Sequence, residues 1–311
     1  MRTLARICAL AVALWLGDLT VSHAETQKVG DPELIALTES EYTSLPDFSE
    51  RLAQLAQVLT ERNDSRAVFA AMYVVLTENG IESIDSGYFE DGEWVSAFMV
   101  VFGNYYRQAF FDYECGQLGR VPAPWRVTFD AAAANEITAF QHGLLGVHTH
   151  INRDMAYAVA DVTPPCERAR RFADFVRTND FIVASVDEVE DAAVAFDSGL
   201  GVLDARLGAL DEKVLKQVLS RWRFRAWREA ATVDLWRERP AGPFVAALRD
   251  RITGRQAELF RDSDALVALG SAGGVLALRG VPQHGKRLAG GHAQPVLVEM
   301  RDGRVLQIDL D

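Results

Sequence analysis

The sequence has little positive charge for its length. Its 311 residues carry 32 lysines and arginines against 44 aspartates and glutamates, a net charge of −12. Nucleic acids and anionic membranes are bound through basic surfaces, so this balance argues against either as the main partner of the protein. Hydrophobic residues make up 49% and charged residues 24% of the chain, which is typical of a soluble globular protein and not of a disordered one.

Long apolar runs are missing too, apart from one at the N-terminus. A basic start is followed by the apolar segment from Ile7 to Leu16, and small residues at 22 and 24 then precede Glu25. This order predicts a signal peptide over residues 1–24 and export to the periplasm or the medium; a buried N-terminal helix is the alternative. No other stretch approaches the ~18 apolar residues of a transmembrane helix, so we expect no membrane span after the signal is removed.

Cysteine is scarce, and removal of the predicted signal leaves Cys115 and Cys166. In an oxidising compartment these two can form a disulfide that stabilises the fold by ~4 kcal/mol, while two separate buried thiols are the alternative. The paired Cys-x-x-Cys motifs of structural zinc sites, the Gly-x-Ser-x-Gly turn of serine hydrolases and the glycine-rich phosphate loops are all absent. The remaining candidates for catalytic or binding residues are histidines and charged side chains.

Apolar residues recur at helical spacing through most of the chain. The segment 94–113 has so few polar residues that we expect it at the centre of the fold. After a polar N-terminal arm at 25–46, residues 47–262 are predicted to form one all-α domain, a bundle of about seven or eight helices.

The C-terminal end differs in composition. Residues 263–311 begin with a glycine-rich stretch, predicted to be a loop, and end in two apolar runs, 296–300 and 304–308, that flank the turn signal Asp302-Gly303. We predict a small β-hairpin there. Because a two-stranded hairpin is only marginally stable alone, we expect it to pack on the helical body.

Histidine is rare, with six in the chain, yet His142, His148 and His150 fall within nine residues. On a helix of 3.6 residues per turn, His142, His150 and Asp154 share one face and His148 lies on the other side. His150 and Asp154 are one turn apart and can hold one divalent metal ion, with zinc favoured by the mixed imidazole and carboxylate ligands. The alternative is a buried histidine–carboxylate pair that only stabilises the bundle.

The role of His142 depends on the shape of this helix. On a straight helix it lies ~12 Å from His150, so the two share one ion only if the helix kinks near Gly143 or Gly146. We predict that His142, or Asp174 in the helix after the Pro164-Pro165 break, supplies a second ligand or an acid–base group for catalysis.

The histidine segment resembles a known signature. Residues 141–146 (Gln-His-Gly-Leu-Leu-Gly) and 150–154 (His-Ile-Asn-Arg-Asp) are similar to the Gln-His-x-Leu-Leu-Gly and His-Ile-Asn-x-Asp stretches of an uncharacterised bacterial family, domain of unknown function 5995. The resemblance spans roughly residues 66–236. Further similar positions are Phe89, Asp91, Asp174, Phe175, Asn179, Ala226, Trp227 and Ala230. Members of that family usually have Asn at the position of His148. The resemblance therefore implies a shared site that does not include His148, and it implies no reaction or substrate.

Four arginines at 221, 223, 225 and 228 gather beside tryptophans at 222 and 227 in an otherwise acidic protein. This local positive charge can hold a phosphate or carboxylate group, and we predict that Arg223 and Trp227, together with Asn179, bind substrate. The alternative is an ordinary solvated helix face with its tryptophans turned inward.

Taken together, these patterns predict an exported, mainly helical, metal-dependent hydrolase that acts on a small molecule. The alternative function is a non-catalytic periplasmic protein that binds a ligand or acts as a scaffold, with a structural His150–Asp154 pair.

Overall fold

The computed structural model describes residues 30–134, 137, 139–185 and 201–262, together with the backbone of two four-residue strands at 296–299 and 305–308. The predicted signal peptide at 1–24 and nearly all of the predicted glycine-rich loop lie outside these residues. Both therefore stay predictions.

The described part of the chain is mainly helical, which confirms the predicted fold class. In chain order, the helices are α1 (Pro32–Thr38), α2 (Leu45–Glu61), α3 (Ala67–Asp85), α4 (Gly92–Glu114), α5 (Ala123–Ala134), α6 (Ala139–Thr149), a π-helical turn (His150–Asp154), α7 (Met155–Val162), α8 (Arg168–Ala184), α9 (Gly201–Arg237) and α10 (Gly242–Arg261). Strands β1 (Val296–Glu299) and β2 (Val305–Ile308) pair antiparallel, with Val296 opposite Ile308. Their side chains and the residues of the turn are not described, so the hairpin appendage stays a prediction.

Part of the predicted polar arm is helical and packed. Asp31 accepts hydrogen bonds from the N–H groups of Glu33 (2.9 Å) and Leu34 (3.3 Å), which caps the first turn of α1. Leu34 and Tyr42 are buried in the main core. A seven-residue helix that buries only Leu34 and Thr38 is too short to produce a periodic pattern in the sequence.

Helix α4 forms the centre of the bundle, as its composition predicts. It contacts α1, α2, α3, α5, α7 and the π-helical turn. Its buried aromatic side chains follow one another at intervals of four residues, and the rings of Trp94, Phe98 and Phe102 stack almost parallel, with interplanar angles of 9° and 7°. The last of these three rings, Phe102, stacks on His150, so the central helix lies directly against the candidate site.

The start of α4 is fixed by two aspartates. Asp91 accepts a hydrogen bond from the N–H group of Trp94 at 2.9 Å, within the first turn. Asp174 of α8 accepts hydrogen bonds from the N–H groups of Glu90 and Asp91, at 2.9 and 2.8 Å. Helix α8 is therefore joined to the loop that leads into the central helix.

By length and composition, one described helix, α3, is apolar enough to span a membrane. It packs against α2, α4, α6 and α8. A helix buried in the core of a protein has the same apolar composition as a membrane-spanning one.

Two glycines bring α6 close to α3. A Cβ atom at Gly143 would lie 2.4 Å from the Sδ atom of Met72, and one at Gly146 would lie 2.5 Å from Cγ and Cδ2 of Phe69. Phe69 in turn packs edge-on to His150, with ring centroids 5.9 Å apart. The close approach of the two helices therefore places α3 beside the candidate site.

We predict that Gly146→Ala lowers the free energy of unfolding. Overpacking against Phe69 costs ~1–3 kcal/mol, and the ~1 kcal/mol gain in helix propensity offsets only part of it. Urea denaturation followed by circular dichroism measures the difference. Gly119→Ala is the control, since a Cβ atom there meets no atom within 4 Å. Equal stability of the Gly146→Ala variant and the parent would contradict the close packing.

Candidate functional site

The site is built on the π-helical turn between α6 and α7. The N–H group of Met155 donates to the carbonyl oxygen of His150, five residues back, which widens the helix by one residue at this point. The Asn152 side chain donates to the carbonyl oxygen of His148 at 2.9 Å. From α10, Arg249 donates to the carbonyl oxygens of Asn152 and Arg153, at 3.2 and 3.0 Å. Side chains thus stabilise a helix turn whose geometry is unfavourable in isolation.

Within the wide turn, His150 and Asp154 are in direct contact. His150 Nδ1 lies 2.8 Å from Asp154 Oδ2, and both side chains are buried. The same Oδ2 accepts a hydrogen bond from Trp125 Nε1 at 2.7 Å, and Oδ1 accepts one from Arg153 Nη1 at 2.8 Å. Both carboxylate oxygens of Asp154 are therefore engaged by donors from the protein.

Electrostatics fix which of the two groups is charged. Burial raises the pKa of Asp154, but the charge of Arg153 and the hydrogen bond with His150 outweigh it, so the pKa lies below its ordinary value. Burial lowers the pKa of His150, and Asp154 only partly opposes this effect. The pair is thus a carboxylate and a neutral imidazole. Nδ1 donates its proton to Asp154, and Nε2 carries a free lone pair.

The imidazole ring is held in a shell of aromatic side chains. It stacks on Phe102 with a centroid distance of 3.6 Å and an interplanar angle of 9°. Tyr73 and Trp125 pack against it at 5.0 and 5.7 Å. His150 Nε2 is buried and has no hydrogen-bond partner within the described part of the chain. The ring is therefore fixed in orientation while one nitrogen is left available.

His150 lines a cavity of about 120 Å³ between α3, α4, α6, α8 and α9. Its wall is apolar apart from four side chains, those of Tyr73, His150, Thr178 and Arg223. The hydroxyl group of Tyr73, like His150 Nε2, is buried without a partner among the described residues. The cavity therefore combines an apolar wall with a few polar groups, as small-molecule sites do.

Two of the predicted substrate-binding residues contact each other, and one of them, Arg223, lines this cavity. Arg223 Nε donates to Asn179 Oδ1 at 2.5 Å, and its Nη2 donates to Thr178 Oγ1. The guanidinium lies over the ring of Phe175, 4.9 Å from its centroid. The third residue, Trp227, is buried against the same Phe175 ring with centroids 4.6 Å apart and does not line the cavity.

The two predicted catalytic residues lie elsewhere. His142 is buried near the start of α6, where Asp64 is the charged group that acts on it, and neither of its ring nitrogens has a partner among the described residues. Asp174 is occupied by the backbone of the α4 loop and by Arg177, at 2.9 Å. Neither residue lines the cavity of His150.

The remaining candidates are accounted for by packing. His148, on the other side of α6, stacks on Phe260 with centroids 4.8 Å apart and packs edge-on to Trp222. Cys115 and Cys166 are free thiols, with Cys115 partly buried at the end of α4 and Cys166 exposed.

Several residues of the site escape sequence reasoning. Trp125, Tyr73, Thr178 and Arg249 come from four different helices and carry no motif. Phe102 had a detectable signal, since it belongs to the i, i+4 aromatic series of α4. Their contribution depends on helix packing, which a local pattern does not contain.

We predict that Trp125→Phe destabilises the protein more than Trp94→Phe does. Both indole N–H groups donate to a buried partner, but Trp125 donates to the Asp154 carboxylate and Trp94 to the neutral Thr163 hydroxyl at 3.0 Å. Hydrogen bonds to charged groups contribute ~1.5–3 kcal/mol and neutral ones ~1 kcal/mol. Urea denaturation of the two variants compares the losses. Equal losses would mean that Asp154 does not depend on its donors.

We predict that stability falls on acidification partly because of His148. Burial lowers its pKa to about 4 from 6.5, so the unfolded chain takes up a proton at higher pH than the native state does. The free energy of unfolding therefore decreases as the pH falls from 6.5 to about 4. His148→Phe, which keeps a ring in this position, should lose ~2 kcal/mol less than the parent between pH 7 and 4.5. Parallel pH profiles of the two proteins would refute this.

Comparison with known proteins adds a family. The sequence model of DUF5995, a family of unknown function, matches residues 45–262, which includes α2 to α10 and every residue of the site described above. No curated protein and no solved structure matches the chain. Because the family match covers more than half of its length, the chain belongs to the DUF5995 family.

Proposed function

We propose that this protein binds a small, largely apolar molecule in the cavity beside His150. The observation that carries the proposal is that His150, oriented by its bond to Asp154, lines an apolar cavity while its buried Nε2 has no partner among the described residues. A ligand with one hydrogen-bond donor satisfies this nitrogen. Since an unpartnered buried polar group costs ~1–3 kcal/mol, satisfying it adds to the affinity.

The size of the cavity limits the size of the ligand. A cavity of about 120 Å³ is close to the ~150 Å³ of an apolar protein cavity that binds benzene. The apolar wall supplies affinity in proportion to the area removed from water. The polar groups orient the ligand, so we propose a ligand of about the size of a substituted benzene ring.

The half-buried residues of the cavity wall come from four different helices and are Leu76, Val147, Phe181, Ile182 and Leu219. A ligand would enter past some of these side chains. The same cavity would serve an exported ligand-binding protein, and export through the signal peptide at 1–24 remains part of the proposal.

The second candidate is the metal-dependent hydrolase predicted from the sequence. One observation favours it, because a carboxylate on one histidine nitrogen is the arrangement that orients the other nitrogen toward a metal ion. In that arrangement His150 is the ligand and Asp154 orients it, and the two do not ligate together. Within the described residues, no group of three or more histidines, cysteines or carboxylates is close enough to hold an ion. The geometry therefore gives more support to ligand binding.

We predict that toluene, a neutral probe of suitable size, binds in the cavity. Met72 and Met99 line the cavity, whereas the equally buried Met155 does not. In a protein labelled with ¹³C at the methionine methyl groups, toluene should shift the Met72 and Met99 signals in a saturable manner and the Met155 signal much less. Uniform shifts of all three, or none, would contradict the proposal.

A matched pair of variants controls this titration. Val147→Phe places a larger side chain in the cavity wall and should weaken toluene binding by at least ~10-fold, since the space is filled. Val58→Phe makes the same change at a half-buried position of α2 outside the cavity and should leave binding unchanged. Metal analysis of protein purified without an affinity tag tests the second candidate. A stoichiometric divalent ion that is lost in His150→Gln would favour the hydrolase over this proposal.

A further inference from the structure

Arg223 is a buried cation that forms no ion pair with any described carboxylate. Its side chain is 4% exposed, and its acceptors are the Asn179 amide oxygen and the Thr178 hydroxyl oxygen, both of which are neutral. No carboxylate in the described part of the chain forms an ion pair with it, and its Nη1 donates to no described residue. Burial accordingly lowers the pKa of Arg223 to about 9. The guanidinium is thus fixed in place with one nitrogen unused.

In the other two buried arginines of the described residues, every guanidinium nitrogen has an acceptor. Arg66 forms ion pairs with Asp64 and Glu114. Arg107 has no carboxylate partner, yet all three of its guanidinium nitrogens donate hydrogen bonds, to backbone carbonyls and to side-chain amides. Burial of an unpaired charge is expensive unless something compensates it. Arg223 differs from them because its Nη1 has no acceptor among the described residues, and it lines the apolar cavity.

We infer that the ligand of this cavity is a small organic monoanion, an apolar body carrying one carboxylate, and that the carboxylate binds Arg223. This inference rests on the proposed function, since it assigns a chemical class to the ligand of that cavity. A carboxylate accepts two parallel hydrogen bonds from an arginine, and such bonds are about twice as strong as neutral ones. The ligand would supply the negative charge that the described side chains around Arg223 do not.

The charge count of the cavity limits the ligand to one negative charge. Arg223 is the one arginine or lysine among the described lining residues, and His150 is neutral. A phosphate monoester carries about −1.5 to −2 at pH 7, so its second charge would be buried without a partner. A carboxylate leaves no such excess. Simple inorganic anions do not fill the apolar part of the cavity.

Tyr73 provides a second donor for the same group. Its hydroxyl is buried without a partner among the described residues, and the positive charge of Arg223 acts on it. Burial holds the pKa of Tyr73 well above its ordinary value, so the hydroxyl keeps its proton and can donate it in a hydrogen bond. His150 Nε2, an acceptor, does not favour a carboxylate. The polar groups of the cavity are thus divided into an anion-binding pair and an acceptor.

The test compares three benzene derivatives in calorimetric titrations of the full chain at pH 7. Benzoate carries the charge, benzamide is its neutral isostere, and phenyl phosphate carries the larger charge. Because hydrogen bonds to charged groups contribute more than neutral ones, we expect benzoate to bind at least ~10-fold more tightly than benzamide and than phenyl phosphate. Equal affinity of benzoate and benzamide, or tighter binding of phenyl phosphate, would overturn the inference. This comparison needs no variant.

Two variants then locate the anion. Arg223→Gln should reduce benzoate affinity by at least ~10-fold and leave toluene binding within about 3-fold of the parent. Arg225→Gln, an exposed position two residues later on α9, should change neither. Unchanged benzoate affinity in Arg223→Gln would overturn the assignment of the residue. Toluene binding without benzoate binding rejects this inference and leaves the proposed function standing, whereas binding of neither rejects both.

Discussion

The hydrogen bond between His150 and Asp154 is the contact on which the other features of the site depend. It places a carboxylate charge in the interior of a helical bundle, where an unpaired ion is strongly destabilising. Two neutral donors, Trp125 and His150, form hydrogen bonds with the carboxylate, and Arg153 supplies the opposite charge and extends the network to Asp250 of α10 at 3.2 Å. The charge is therefore acceptable only when these elements are packed together.

The His150–Asp154 pair lies in a π-helical turn, a backbone geometry that is rare in proteins. Residues four apart lie on one face of a regular α-helix and can form such a contact there as well. The distinctive feature here is the widened backbone, and Arg249 and Asn152 donate to carbonyl oxygens in and next to the turn. Such turns are frequent at functional sites. An unfavourable backbone geometry persists only where the surrounding structure stabilises it.

The polar chemistry of the cavity depends on the proton of His150 and on the positive charge of Arg223. Asp154 holds the imidazole proton on Nδ1, so Nε2 is an acceptor, while Arg223 lines the same cavity as a donor. The rest of the wall is mainly aromatic and aliphatic, and polar interactions are stronger in such surroundings than in water. The cavity therefore combines an acceptor and a cationic donor in one apolar wall.

The sequence by itself determined the helical class of the fold, the central position of α4 and the residues worth inspecting, because these depend on local periodicity and on side-chain type. It also predicted that His150 and Asp154 act together, since both lie on one short segment. Only the tertiary structure decided that the pair is a hydrogen-bonded dyad, that Arg223 lines the same cavity while bonded to Asn179, and that His142 and Asp174 lie away from it. These outcomes depend on the angles and distances at which α3, α4, α8 and α9 pack, and packing between distant segments leaves no periodic trace in the sequence.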